Sequence, residues 1–247
     1  TLPAVQNTGG AFQLNQSGDL LVTGLVNSGP QAIAATGTLT VQAGASGSSQ
    51  LFSVGDQTVS AGSILLQGGS SGNGNSASIT AVGGSQTVNA GAGGITLIGG
   101  SSTGTNNFAQ ISQATLDPAF TQTVHSDGSV LLDSGDAGAF NFTIIRAFGG
   151  HQSLDAGSTT LMAGAGGAAN FAAIQAQSQD IHIRGDLAFI AGGSASSGTS
   201  GGGAQMGGRG GAAPSAANLA LAVDGNLTLS GGTVAGSVIG QGLVNNE

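Results

Sequence analysis

The sequence predicts an all-β chain wound as a parallel β-solenoid, and three observations lead there. Apolar and polar residues alternate with period two, as in Thr38-Leu39-Thr40-Val41 and Asn226-Leu227-Thr228-Leu229, which is a strand signal. Glycine fills 48 of the 247 positions, and charged residues make up only 6%. Glu, Lys and Arg, the charged helix formers, are therefore almost missing, and each glycine opposes a helix interior. The third observation is an internal repeat of about 30 residues.

The repeat can be followed unit by unit. One unit opens Gly62-Ser-Ile-Leu-Leu-Gln, continues Asn75-Ser-Ala-Ser-Ile79 and closes Gln86-Thr-Val-Asn-Ala-Gly91. The next runs Gly94-Ile-Thr-Leu-Ile, Asn107-Phe-Ala-Gln-Ile111, Gln122-Thr-Val. Two more hold Gly128-Ser-Val-Leu-Leu, Asn141-Phe-Thr-Ile-Ile145, Gln152-Ser-Leu and Gly157-Ser-Thr-Thr-Leu-Met, Asn170-Phe-Ala-Ala-Ile174, Asp180-Ile-His-Ile. An early copy holds Gly37-Thr-Leu-Thr-Val and Gln57-Thr-Val; a late one holds Asp186-Leu-Ala-Phe-Ile, Asn218-Leu-Ala-Leu-Ala and Asp224-Gly-Asn-Leu-Thr-Leu. Each unit thus offers three short strands parted by Gly-, Ser- or Asn-rich corners.

Three flat strands cannot bury their apolar side chains alone. Coiled, each strand pairs in parallel with its counterpart one turn later, and the inward residues stack into a continuous core. Roughly eight coils at about 4.8 Å spacing give a rod about 40 Å long. Residues 1–247 then form one domain.

The repeat assigns inward positions. Ile79, Ile111, Ile145 and Ile174 form one expected stack, and Val59, Val88, Val124 and Leu154 a second. Leu65, Leu97, Leu131 and Leu161 are a third. Asn75, Asn107, Asn141 and Asn170 recur at one structural position. Their amides either bond to one another along the axis or let the chain take a left-handed corner. Phe108, Phe142 and Phe171 follow three of these asparagines, and the alternation leaves open whether they face in or out.

Residues 192–216, rich in Gly and Ser, break the rhythm and are expected to be a flexible corner insertion. A smaller insertion, Ala114–Thr121, lengthens another unit, with Phe120 placed to cover a core edge.

Composition narrows function. Eleven carboxylates oppose only Arg146, Arg184 and Arg209, for a formal charge of -8. That balance gives no basic footprint for nucleic acid. Cys is missing, which removes thiolate-metal and disulfide chemistry. No apolar run is long enough for a membrane-spanning helix.

Catalysis on a polysaccharide would need clustered carboxylates. The densest group is Asp127, Asp133 and Asp136, with His125 and His151 nearby in sequence. It lacks calcium-loop spacing and reads as polar residues capping turns. His125, His151 and His182 read as surface or corner residues, and no cofactor or metal site is expected. Arg184-Gly185-Asp186 spells an integrin-recognition tripeptide but sits at the start of a strand, so it reads as coincidence.

Ser17-Gly-Asp-Leu-Leu-Val-Thr-Gly24, Arg184-Gly-Asp-Leu-Ala-Phe-Ile-Ala-Gly192 and Val223-Asp-Gly-Asn-Leu-Thr-Leu-Ser-Gly231 resemble the repeats of filamentous haemagglutinin-like exoproteins. The resemblance implies a right-handed β-helix, secreted or held at a bacterial cell surface, serving adhesion or biofilm cohesion. The Asn-Pro-Asn-Leu and Asn-Pro-Asn-Gly motifs of that family's secretion domain do not occur, so a mature or excised repeat segment is expected.

The expected function is a non-catalytic structural protein, a fibre or biofilm-matrix subunit or segment joined end to end. The alternative is an adhesin segment binding cell surfaces or glycans. Glycan stacking usually employs Trp or Tyr, and the chain has neither.

Overall fold

The computed structural model describes residues 1–7, 9–100, 103–195, 202–208 and 217–240. These residues wind as a parallel β-helix with no α-helix among them, and so no helix long and apolar enough to cross a membrane. One nine-stranded face contains Val5–Asn7, Leu25–Ser28, Ser49–Ser53, Ala77–Ala81, Ala109–Gln113, Thr143–Ala147, Phe171–Gln175, Gly203–Gly207 and Ser237–Ile239. The other sheet has twelve strands and bends into two limbs. Its long strands Gln31–Gln42, Gln57–Gln67, Gln122–Asp133 and His151–Met162 supply both limbs. Register shifts at Ala35/Thr38 and Ser126/Ser129 mark the bend between the limbs.

Parallel pairing in register turns one inward residue per coil into a column. On the nine-stranded face the column runs Val5, Val26, Leu51, Ile79, Ile111, Ile145, Ile174, Met206, Ile239. On the first limb it runs Leu14, Ile33, Val59, Val88, Val124, Leu154, Ile181, Leu221. Interior members of both columns are essentially removed from water. At about 25 cal/mol per Å² of apolar surface, this shared burial is the dominant favourable term.

The third expected stack is corrected by register. On the second limb the inward columns are Leu39, Ile64, Ile95, Val130, Thr159, Leu187 and Val41, Leu66, Leu97, Leu132, Leu161, Phe189. Leu65 and Leu131 lie between these columns, level with Thr96 and Thr160, and are part-exposed on the outer face. A one-residue slip in strand parity flips a side chain to the other face. The doublets Leu65-Leu66 and Leu131-Leu132 conceal that parity in the sequence.

The 192–216 insertion is also corrected. Gly203–Gly207 is a buried strand paired with Phe171–Gln175, and it supplies Ala204 and Met206 to the core. Asn218–Val223 pairs with Ser178–Ile183 on the first limb, so Asn218 is no member of the asparagine position. An alternation of Gly and Ala with a single Met carries almost no period-two hydrophobic contrast. Residues 196–201 and 209–216 of the insertion lie outside the described residues.

Glycine abundance has a packing cause at one corner. Gly100, Gly135, Gly164, Gly192 and Gly232 form an axial column. A Cβ on any of them would overlap the carbonyl oxygen of the glycine one coil earlier. Only glycine lets backbones approach this closely.

Candidate functional site

The polar residues that recur from coil to coil are spent on bonds along the axis. The asparagine position closes the corner loop. Gly69, Gly100, Gly135 and Gly164 donate their N–H groups to the carbonyls of Asn75, Asn107, Asn141 and Asn170. Each of Asn75, Asn107 and Asn141 donates its backbone N–H to Oδ1 of the asparagine one coil later, at 2.9 Å. Asn170 donates instead to Ser194 Oγ, at 2.9 Å. The Nδ2 groups turn back to loop carbonyls, as in Asn141 to Ala137 at 2.7 Å and Gly104 at 3.1 Å. The amides therefore do bond up the axis, but amide to backbone, not amide to amide. The left-handed residues are the preceding ones, Asn106, Phe140 and Ala169.

Sequence reasoning missed a second ladder. Gln31, Gln57, Gln86, Gln122, Gln152 and Gln179 are all buried at the start of the first limb. Each later one donates Nε2 to Oε1 of the one before, at 2.6–2.8 Å. The available signal was parity: Gln57-Thr-Val59, Gln86-Thr-Val88 and Gln122-Thr-Val124 put glutamine on the same side as the inward valine. The ladder stops at Leu219, and Gln179 Oε1 is left without a hydrogen-bond partner.

Phe108, Phe142 and Phe171 lie half-buried on the outer side of the nine-stranded face and stack with centroids 4.7 and 4.8 Å apart. Both faces of Phe142 are thus occupied by neighbouring rings, so Phe142 itself has no free face for a sugar ring.

The acidic group is dispersed. His125 Nε2 meets Asp127 Oδ1 at 3.0 Å, but His151 pairs with Asp180 at 3.3 Å. Asp133 and Asp136 stand apart from both histidines. Burial, and then the charge of Asp136, raise the Asp133 carboxyl above its ordinary value. Asp136 Oδ1 accepts the Ala165 N–H one coil on, and Asp19, Asp56 and Asp186 do the same for Thr38, Ser85 and Asn226. These carboxylates cap corners between coils. In the Arg184-Gly185-Asp186 corner, Arg184 is held by Asp155 at 2.9 Å and Asp186 by Asn226. Among the described residues no group of three His, Cys, Asp or Glu side chains could hold a metal ion. In the smaller insertion Leu116 is exposed, while Phe120 is half-buried.

What remains is the two end coils. At the C-terminal end, Leu227 and Leu229 continue the columns of Leu187 and Phe189, yet they are 48% and 47% exposed. Leu219, Leu221, Val223 and Ile239 are the other inward residues of that coil and are only partly buried. Among the described residues, strands Asn218–Val223, Leu227–Ser230 and Ser237–Ile239 each pair on one side only. At the N-terminal end Val5, Phe12 and Leu14 are partly covered, while Leu2 bridges to Val22 and helps bury it. The chain matches no protein-family model, no curated protein and no solved structure.

Proposed function

We propose that this chain is a non-catalytic extracellular structural protein, a fibre or biofilm-matrix subunit or segment that assembles by stacking β-helix coils. The observation that carries the reading is the last coil. Among the described residues it offers a row of unpaired strand backbone and an apolar floor in register with the columns beneath. Edges of this kind are templates for another strand layer. A next coil, from a second copy or from further chain, would cover Leu227 and Leu229 as Leu187 and Phe189 are covered now.

The supporting chemistry is the use of polar groups. The recurrent Asn, Gln and corner Asp residues hold coil to coil, which is the requirement of a rod under lateral load. Head-to-tail addition is heterologous, and because the coil axis does not close it yields an open fibre. The charge of -8 opposes association, but at physiological salt it is screened beyond about 8 Å. Location outside the cell follows from the resemblance of the Gly-Asp/Asn-Leu repeats and belongs to the same proposal.

Sedimentation velocity with electron microscopy at micromolar concentration and neutral pH tests the reading. Unbranched filaments that lengthen with concentration are expected. A stable, concentration-independent monomer of 23.3 kDa would remove the self-assembling subunit and leave the excised segment.

A further inference from the structure

The three histidines share one side of the rod with Asp127, Asp155, Asp180, Asp224 and Arg184. On the outer face of the first limb, one column reads Asn15, Ala34, Ser60, Asn89, His125, Asp155, His182, Ala222 along the axis. Its neighbour reads Gln13, Ala32, Thr58, Thr87, Thr123, Ser153, Asp180, Ala220. The N-terminal half of these two columns is uncharged, and the C-terminal half of the face holds all three histidines of the chain.

There the signs alternate from coil to coil. Asp155 lies 3.5 Å from His125 Nδ1, 3.7 Å from His182 Nδ1 and 2.9 Å from Arg184 Nη1. Asp127 flanks His125 at 3.0 Å, Asp224 flanks His182 at 3.1 Å, and Asp180 flanks His151 at 3.3 Å. The groups facing the histidines are thus Asp127, Asp155, Asp180, Asp224 and Arg184.

We infer that this face is a self-pairing surface, by which two copies of the chain pack side by side when its histidines are charged and separate when they are neutral. With neutral histidines, four carboxylates against Arg184 leave the face net negative, and two such faces repel. With three imidazolium groups the face holds four cations and four anions in alternation. A two-fold partner whose axis crosses the face between the coils of His125 and Asp155 then sets His125 of each copy against Asp155 of the other, an isologous contact. Histidine is the side chain whose charge ordinarily changes between pH 8 and 5.

The half-face spans about 20 Å by 20 Å from strand rise and coil spacing. That is well under the roughly 800 Å² per partner of a standard interface, so the pairing of isolated copies is weak. The test must therefore read weak attraction.

Static light scattering gives it through the second virial coefficient, measured on the Leu229→Asp variant so that end-on stacking is blocked. At low salt the coefficient should be positive at pH 7.5 and negative at pH 5.2, and 0.5 M NaCl should bring both close to zero. Replacing His125, His151 and His182 with Gln should keep it positive at both pH values. A triple variant that still changes sign, or a parent that does not, overturns the inference. Adding Ala34→His, Thr58→His and Ser60→His to the triple variant restores the titration without the alternation. If that protein regains attraction at pH 5.2, net charge governs and the face does not. Wild type measured below its stacking concentration gives the same comparison should Leu229→Asp fold poorly. Failure of end-on filaments would leave this result standing, since it is read on a stacking-blocked chain.

Discussion

The two ends of the rod carry the same kinds of residue in the same columns and differ in burial. Near the N-terminus Leu20 and Val22 are 4% and 0% exposed, with the Leu2 bridge running beside Val22. At the other end Leu227 and Leu229, in the corresponding columns, are about half in water. Core membership in a coiled stack is therefore a nearest-neighbour property. Parity decides that a residue points inward, and the next coil decides whether that direction leads to a core.

The sharpest way to break this comparison is a charge at two depths. Ile145→Asp places a carboxylate between Ile111 and Ile174 with no partner, at a cost of several kcal/mol. The expected outcome is loss of the cooperative β transition by circular dichroism. Leu229→Asp, in the open coil, should keep that transition and lose end-on assembly in sedimentation. Equal melting behaviour would mean that the end coil is not a terminal layer.

Next in size is the interior glutamine. Gln122→Ala leaves Gln86 Oε1 and Gln152 Nε2 without their ladder partner in the core. An unsatisfied buried group costs about 1–3 kcal/mol. Urea unfolding should report destabilisation of about that size, with an unchanged m value. The end of the same ladder predicts the opposite sign. Leu219→Gln would give Gln179 Oε1 the donor it lacks and should stabilise the last coil by about 1 kcal/mol, seen as slower amide exchange in Asn218–Val223.

The smallest effect is at Asp133. Its folded-state affinity for a proton is raised, so folding takes up protons between the ordinary carboxylate range and the higher, folded-state one. Stability is then greatest below this window and declines as pH rises through it. The site is part-exposed, so solvent screening keeps the effect small. Asp133→Asn should flatten the pH dependence of the melting temperature just above the ordinary carboxylate range, with little change at the acid end.

Much of this architecture is legible in a single chain. The isoleucine column 79, 111, 145, 174 and the column 59, 88, 124, 154 follow from repeat spacing with period-two parity, because identical coils must superpose their inward residues. The asparagine position was equally visible, but its bond was not. A sequence gives the spacing of Asn141 from Asn107 and Asn170, not which atom of one meets which atom of the next.

Sequence alone determined that this protein is all-β, coiled, core-stacked and poor in mobile charge, since repeat period, parity and composition are properties of the linear chain. Tertiary structure decided the rest. Leu66 and Leu132 face inward and their neighbours Leu65 and Leu131 outward because the chain's parity is reset at the limb bend, where the register shifts at Ala35/Thr38 and Ser126/Ser129 lie. Gly203–Gly207 is a strand because Phe171–Gln175 offers it a backbone to pair with. Three histidines far apart in sequence share one face because coil spacing brings residues about 30 positions apart to within about 4.8 Å. Distance along the chain and distance in space are unrelated until the coil closes, and only closure makes His125, Asp155 and His182 neighbours.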